Sequence, residues 1–485
     1  MQNGGMDAVT TRFPPAVTAD RRPGIDSASV IVFCIMFALA SIPSEILRDG
    51  DTLWQIRTGE WILNHHAIPR IDPFSYTAGA RPWYPHDWLA EVVLSLAHRA
   101  GGFNGVIFLA AASVGLTTAI MFRHMRRFLP EPYAFVALTI GLACTAPNML
   151  ARPHLLSWPC LAAVCSGLAM ARSRQTAPSF WLLPVMVLWV NLHGSFMVGL
   201  LLPILLMMEA LFDPQADRRR VLTGWGGFIV AEWICALINP ATLEGVLFPF
   251  RMLRMGSTQW IGEWLPVDFA NAQPVEFIIL GGLALGLLGK LRLPPFRLLI
   301  LLGLIVETLM HRRNQQLLGI VGTLMLVEPF AAGMGLRPSG ASGRAGWIAA
   351  SVAVVIACVA IPFRFERSIN PEFDAKTVAD VLTTVPDSTR ALPVLNDYSV
   401  GGDLIFLGVR PYIDSRADLY GDAFLSKYRD MMADRKILME VLETNHVGWT
   451  IFPDAQPVAA ILDGVPGWKR LETKDGYAIH VRSGN

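Results

Sequence analysis

About eleven apolar stretches approach the length that crosses a bilayer, and this repetition constrains the chain more than any other feature. They run over 28–47, 103–122, 133–150, 155–171, 179–193, 196–212, 221–238, 274–289, 296–310, 315–332 and 346–362. A span needs roughly 20 mainly apolar residues, and only a helix pairs all its backbone groups within one such segment. Several stretches are short, which predicts tilted or bundle-buried helices. Of 485 residues, 53% are hydrophobic and only 16% charged, where an ordinary soluble domain holds roughly 25%. Lys and Arg number 40 and Asp and Glu 39, a net charge of +1. That excludes the basic face of a nucleic-acid binder, and no nucleic-acid partner is expected. The reading is an α-helical polytopic membrane protein, not a cytosolic enzyme.

The loop charges predict orientation. Arg21 and Arg22 precede the first span. Arg123, Arg126 and Arg127 follow the second, Arg172 and Arg174 the fourth, and Arg218, Arg219 and Arg220 the sixth. Lys290, Arg292 and Arg297 lie between the eighth and ninth, and Arg337 and Arg344 between the tenth and eleventh. All fall on one side, which the positive-inside rule makes cytoplasmic. Three regions are expected: a cytoplasmic tail over 1–27, a membrane region over 28–362, and an extracytoplasmic α/β domain over 363–485. The membrane would be the plasma or inner membrane. Ala38-Leu39-Ala40 has the form of a signal-peptidase site. The run continues to about Leu47, however, long enough for a retained span; cleavage would remove that span and leave the later orientation unchanged. Cys34, Cys144, Cys160, Cys165, Cys235 and Cys358 all sit in apolar runs, so no disulfide framework is expected.

The first outer loop, 48–102, is no simple connector. Asp51 to His65 reads as an interfacial helix carrying Trp54 and Trp61. Pro69, Pro73, Pro82 and Pro85 hold the return extended. A second amphipathic stretch, Asp87 to His98, breaks at Gly101-Gly102. In the tail, strands are expected near Leu392–Leu395, Pro411–Ile413 and Val447–Phe452. Helices are expected near Ala423–Glu443 and Val458–Leu462. A final hairpin of Lys469–Glu472 with Ala478–Val481 turns at Lys474-Asp475-Gly476.

Polar residues collect on the face opposite the basic loops: Asp49, Asp51, His86, Asp87, Arg152, His154, Asn191, His193, Glu263, His311, Arg312 and Arg313. In a charge-poor protein, such grouping suggests the lining of a site. Asp49-Gly50-Asp51 places two carboxylates at the end of the first span. One could cap the following helix; the pair suits a general base, or a metal ligand, because a like charge beside apolar surface raises a carboxyl pKa. His86-Asp87-Trp88 closes the same loop, with Glu91 one turn on. Asp87 either caps the second helix or joins Asp49 and Asp51 around a divalent cation, Mg or Mn because the ligands are oxygens. Arg152-Pro153-His154 and His311-Arg312-Arg313 either anchor to headgroups or grip a lipid phosphate, which arginine binds bidentately. His193 either bonds a neighbouring backbone group or lines the site. Glu263-Trp264 either binds a sugar or rests on the interface.

A run of motifs carries a family resemblance. Asp49-Gly50-Asp51-Thr52-Leu53-Trp54, Thr58-Gly59-Glu60-Trp61-Ile62-Leu63, Ile68-Pro69-Arg70-Ile71-Asp72-Pro73-Phe74-Ser75-Tyr76-Thr77, Pro82-Trp83 and His86-Asp87-Trp88-Leu89 resemble a large group of bacterial membrane proteins placed with the GT-C glycosyltransferases. That superfamily includes protein O-mannosyltransferases, aminoarabinose transferases and oligosaccharyltransferases. Trp189 to Phe196, Glu263-Trp264, and Asn396-Asp397-Tyr398 with Asp414 to Gly421 look like further hallmarks. The match is dense over 49–91 and scattered elsewhere. Leu53, Gln55 and Asp87 depart from the pattern, which is commonly aromatic, histidine and glutamate at these places. The resemblance implies many spans, two interfacial helices in the first outer loop, and a sugar donor on polyprenyl phosphate or diphosphate. It also implies an essential acid in that loop, at Asp49 or Asp51.

The expected activity is therefore sugar transfer from such a donor to a glycan, lipid or protein acceptor, inverting. Asp49 or Asp51 would serve as base, helped by His86 and Asp87, with arginines on the phosphate. The alternatives are a transporter or flippase of a lipid-linked glycan, marked by mid-span charges such as Glu232 and Glu307, and a non-enzymatic assembly factor.

Overall fold

The computed structural model describes residues 26–79, 81–256, 261–338 and 344–483. Arg21 and Arg22, with nearly all of the polar N-terminal tail, lie outside the described residues. Each apolar stretch is helical over most of its length. The helices are α1 (Ser27–Ser41), α2 (Asp51–His65), α3 (Trp88–Met125), α4 (Glu131–Thr145), α5 (Pro153–Ser173), α6 (Leu182–Leu192) and α7 (Phe196–Leu211). They continue as α8 (Arg218–Ala236), α9 (Leu243–Leu253), α10 (Pro274–Leu287), α11 (Pro295–Met310), α12 (Gln315–Leu317), α13 (Thr323–Met334) and α14 (Arg344–Phe365). Among the described residues, four helical segments are long and apolar enough to cross a membrane: Trp88–Met125, Pro153–Ser173, Arg312–Met334 and Arg344–Phe365. Others, such as α1, α6, α7 and α10, are apolar but shorter.

Local chemistry sets the boundaries. Asp26 caps α1 by accepting from the Ser29 amide at 3.0 Å. The helix ends at Ser41, earlier than the apolar run suggests, because Pro43 supplies no amide to continue it. A π-turn at Leu318–Gly322 joins α12 to α13. Helix α2 has the expected bounds. At the expected break in α3, Gly102 takes φ 59° and ψ −149°, open only to glycine, so the amphipathic segment and the following span meet at a kink. Gly59 lets α2 press onto α3: a Cβ there would lie 2.0 Å from the Glu91 carbonyl oxygen. Glu91 itself is buried, and the charges acting on it come from Asp87, Arg416 and Asp418. It does not join the Asp49–Asp51 pair.

The helices have two differently charged ends. Arg172 of α5 pairs with Glu209 of α7 at 3.0 Å, and Arg297 of α11 pairs with Glu209 at 3.2 Å and Glu328 of α13 at 2.9 Å. His124, at the same end of α3, contacts the Leu324 carbonyl at 3.1 Å. The opposite ends of α5 and α11 carry Arg152 and His311. The basic loops and the candidate residues thus lie at opposite ends of these helices, as the charge pattern predicts.

The C-terminal part comprises α15 (Lys376–Leu382), α16 (Asp387–Arg390), α17 (Gly401–Phe406), α18 (Ala417–Met431), α19 (Arg435–Thr444) and α20 (Pro457–Asp463). They pack around β1 (Val394–Asn396), β2 (Trp449–Pro453), β3 (Trp468–Lys474) and β4 (Tyr477–Arg482), in sheet order β1-β2-β4-β3. β1 and β2 are parallel; the other pairs are antiparallel. The expected terminal hairpin is present. The expected strand at 411–413 is not. The Asn396 side chain takes the place of a strand partner, accepting from the Tyr412 amide at 2.8 Å and donating to the Ile413 carbonyl at 2.8 Å. The single helix expected over 423–443 is two, because Asp434 caps a new start by accepting from the Lys436 amide at 2.7 Å. Trp54, Ala78 and Trp83 of the 48–102 loop share a core with Leu395, Ile413 and Tyr420. The loop and the tail are therefore packed as one body.

Candidate functional site

The Asp49–Asp51 segment is fixed first by backbone. The Ala151 amide donates to the Ile46 carbonyl at 2.7 Å, and Thr52 Oγ1 donates to the Ala151 carbonyl at 3.1 Å. Pro153 then starts α5, leaving Arg152 extended at its mouth. Arg152 Nη2 consequently lies 2.6 Å from both Asp49 Oδ1 and Asp51 Oδ2. Its Nη1 lies 2.6 Å from Glu263 Oε2.

Glu263 arrives on the short turn Gly262–Trp264. That turn is stitched to the end of α11: the Arg312 amide donates to the Leu265 carbonyl at 3.0 Å, and His311 Nδ1 donates to the Trp264 carbonyl at 3.0 Å. Arg313 pairs with Glu263 Oε1 at 2.7 Å and stacks 4.5 Å from the Trp264 ring centre. Asp49, Asp51, Arg152, Glu263, Trp264, His311 and Arg313 therefore form one assembly. Arg312 stands beside it, exposed, and among the described residues its guanidinium makes no hydrogen bond or ion pair.

The two aspartates differ. Asp49 Oδ1 accepts from the Asp51 amide at 2.9 Å, closing the turn into α2. Asp51 accepts from the Ser415 hydroxyl, and Ser415 accepts from Trp54 Nε1 at 3.0 Å. Burial raises the Asp51 carboxyl; Arg152 opposes this, while Asp49 and Glu263 add to it, leaving it at about 6. Burial would also raise Glu263, but Arg313 and Arg152 overturn that and hold it down at about 2. Asp51 is thus poised to exchange a proton near neutrality, whereas Glu263 stays ionised.

The histidines form a second group. His86 lies 3.3 Å from Asp87 and stacks on Phe248 with ring centres 3.8 Å apart. Burial works against charge on both; their mutual attraction prevails, raising His86 and lowering Asp87. His193 Nδ1 accepts from the Ser195 amide at 3.1 Å, and burial pushes the imidazole down to about 3, so the ring is neutral. His154 donates to the Asn148 carbonyl at 2.8 Å, a structural role. Arg313 links the groups electrostatically, acting on both Glu263 and Asp87.

The expected cation set of Asp49, Asp51 and Asp87 does not assemble. The first two converge on Arg152, while Asp87 pairs with His86. Among the described residues no group of three or more His, Cys, Asp or Glu is placed to hold a metal. The guanidinium already occupies the position of positive charge.

Sequence reasoning gave no role to the tail residues at this site. Ser415 reaches Asp51, and Tyr398 donates to the Ser415 carbonyl at 3.1 Å. Flanking Ser415, Arg416 pairs with Asp414 at 2.6 Å and with Asp72 at 2.7 Å, all three nearly inaccessible. The available signal was the resemblance itself, which singles out Asn396-Asp397-Tyr398 and Asp414 to Gly421 without placing them beside Asp51.

No family model matches the sequence, and no curated protein matches it. Solved structures do. The oligosaccharyltransferase of Archaeoglobus fulgidus in its apo form matches with a TM-score of 0.52 and 11% identity, over 88% of this chain and 69% of that one. The same protein tethered to an acceptor peptide containing the NVT sequon matches with 0.52 and 12% identity, over the same shares. ArnT from Cupriavidus metallidurans, bound to undecaprenyl phosphate, matches with 0.52 and 12% identity, over 95% of this chain and 99% of that one. At these identities the likeness establishes the fold alone: the chain shares the polytopic helical fold of these oligosaccharyltransferase and ArnT structures.

Proposed function

We propose that the protein transfers a sugar from a polyprenyl-phosphate or diphosphate donor to an acceptor hydroxyl on a glycan, lipid or protein. The reaction takes place at the face opposite the basic loops, the outer face of the plasma or inner membrane. The N-terminus is then cytoplasmic and the tail periplasmic. One observation carries the reading: the carboxyl of Asp51 is held by Arg152 and the Ser415 hydroxyl within an acid–arginine assembly, on a fold shared with a protein bound to undecaprenyl phosphate.

The acceptor oxygen attacks the anomeric carbon and its proton passes to Asp51. The bond from that carbon to the phosphate oxygen breaks, its electron pair leaves on the phosphate, and the linkage inverts. Phosphate is a good leaving group, so the second carboxyl acid of a glycosidase is not required. Asp49 and Arg152 position Asp51. Arg152 and Arg313 are neutralised by three carboxylates, which leaves Arg312 as the cation available to the phosphate. The acids do not fit a resident metal as placed, and no step is routed through one.

Asp51→Asn and Asp49→Asn, made separately and together, test this. Loss of a general base lowers turnover by about 10²–10⁴-fold. Asp51→Asn should show that loss with donor binding retained; full activity in the double variant refutes the reading.

A second reading, transport of a lipid-linked glycan, draws on Glu232. It is fully buried in α8, and neither carboxyl oxygen has a hydrogen-bond partner. Glu232→Gln should abolish translocation in vesicles under that reading and leave sugar transfer intact under the first.

A further inference from the structure

Gly401 and Gly402 open α17, and neither needs to be glycine for the sake of its backbone. Gly401 takes φ −58° and ψ −39°, ordinary helical values, and Gly402 continues the helix. Space is the reason instead. A Cβ on Gly401 would lie 2.4 Å from the Ile413 carbonyl oxygen and 2.5 Å from Asp414 Cα. A Cβ on Gly402 would lie 2.4 Å from the Gly50 carbonyl oxygen. The two glycines are thus pressed between two stretches of backbone. One is Ile413-Asp414, which leads into Ser415; the other is Gly50, between Asp49 and Asp51.

The surrounding bonds hold the glycines in that place. Tyr398 donates its hydroxyl to the Ser415 carbonyl at 3.1 Å, and Asn396 donates to the Ile413 carbonyl at 2.8 Å. Asp397 accepts from the Ser399 amide at 2.9 Å and from the Gln456 side chain at 2.9 Å. The Ser399 carbonyl oxygen in turn lies 3.4 Å from the Cβ position of Gly50. Trp54 spans the same gap: it donates to Ser415 at 3.0 Å, and its Cδ1 lies 3.6 Å from the Cβ position of Gly402.

We propose that Gly401-Gly402 is the spacer that sets the approach of Ser415 to Asp51, which makes both glycines positioning residues for the proposed base. The consequence for turnover rests on Asp51 being that base; the geometry does not. A side chain at either position requires the facing backbone to withdraw by about 1 Å before ordinary contact returns. An O–H···O bond spans roughly 2.5–3.0 Å, so that withdrawal breaks the bond from Ser415. A misplacement of about 1 Å costs on the order of 10²-fold in turnover.

The spacing is read without turnover in full-length Asp51→Cys/Ser415→Cys protein in nanodiscs, oxidised with copper phenanthroline. A disulfide should form readily, and adding Gly401→Ala or Gly402→Ala should slow it by about tenfold, because the bond tolerates little change in Cβ separation. Adding Gly226→Ala, in α8, should change nothing. Gln456→Ala frees Asp397 and loosens the segment more gently. It should slow the reaction by about twofold and serves where the alanine variants do not fold. With Asp51 and Ser415 in place, Gly402→Ala should lower kcat about 10²-fold with the donor KM unchanged. It should also move the rising limb of the pH–rate profile upward, as Ser415→Ala does, and add no further shift to Ser415→Ala. Undiminished cross-linking in the glycine variants, or equal slowing by Gly226→Ala, overturns the spacer. Slowed cross-linking with the limb unmoved in both Gly402→Ala and Ser415→Ala keeps the spacer and removes Asp51 as the base.

Discussion

The hydroxyl of Ser415 donates to the carboxylate of Asp51 across 364 residues of chain. This bond brings the tail into the acid pair. It also favours the ionised carboxylate, opposing the burial that lifts Asp51 to about 6. A base is active when deprotonated, so turnover should rise with pH up to about 6 and then level. Ser415→Ala removes a stabiliser of the anion and should move that limb to higher pH. Glu263→Gln removes a neighbouring negative charge and should move it lower. pH–rate profiles of the two variants check the opposite signs; shifts in the same direction would remove Asp51 from the role.

Arg416 lies between Asp72 and Asp414 and over Trp83, 4.6 Å from its ring centre. Breaking a buried pair from one side costs about 3–5 kcal/mol, because the remaining charge is left without compensation. Arg416→Met should lower stability by that order in denaturant unfolding. A loss under about 1 kcal/mol would show that the acids find water or other partners.

Gly59 sits where α2 meets the Glu91 carbonyl. Gly59→Ala should force the helices apart and destabilise by about 1–3 kcal/mol or more. It should also lower activity, since α2 carries Asp51. Gly226, whose added Cβ meets nothing within 4 Å, provides the control: Gly226→Ala should be neutral or stabilising.

Under the proposed reading the donor's phosphate meets Arg312, so Arg312→Gln should raise the KM for the lipid donor by about tenfold or more with less effect on kcat. Arg312→Lys should restore part of the affinity, since charge returns without the bidentate fork. An unchanged KM in both variants would assign the phosphate to another group.

Arg152 fills the position between Asp49 and Asp51 that a divalent cation would take. Chelation, followed by Mg or Mn addition, should leave turnover unchanged. Loss on chelation with recovery by Mn would show that Arg152 swings away to admit a metal.

Helical character, the basic and polar ends of the bundle and the helices of the 48–102 loop were legible because each depends on local pattern. Asp51–His65 and the break at Gly101-Gly102 follow from periodicity and backbone freedom alone. The 411–413 segment was not legible, because the Asn396 side chain that replaces its strand partner is a tertiary contact. Nor was the break before α19, where the cap at Asp434 outweighs a continuous helical pattern. At the site, the sequence listed the charged residues but could not pair them. It grouped Asp87 with Asp49 and Asp51, and the fold sends Asp87 to His86.

What the sequence alone determined is the solvent each segment prefers and which ends of the helices carry charge, since apolar runs and basic loops act through local composition. What only the tertiary structure decided is which charges neutralise one another. Arg152 meets Asp49 and Asp51 because the Ala151 amide is bonded to the Ile46 carbonyl, it meets Glu263 where the Gly262–Trp264 turn is bonded to the end of α11, and Ser415 reaches Asp51 because the tail packs on the first loop. Coulomb energy and desolvation depend on distance in space, and separation along the chain carries no record of it.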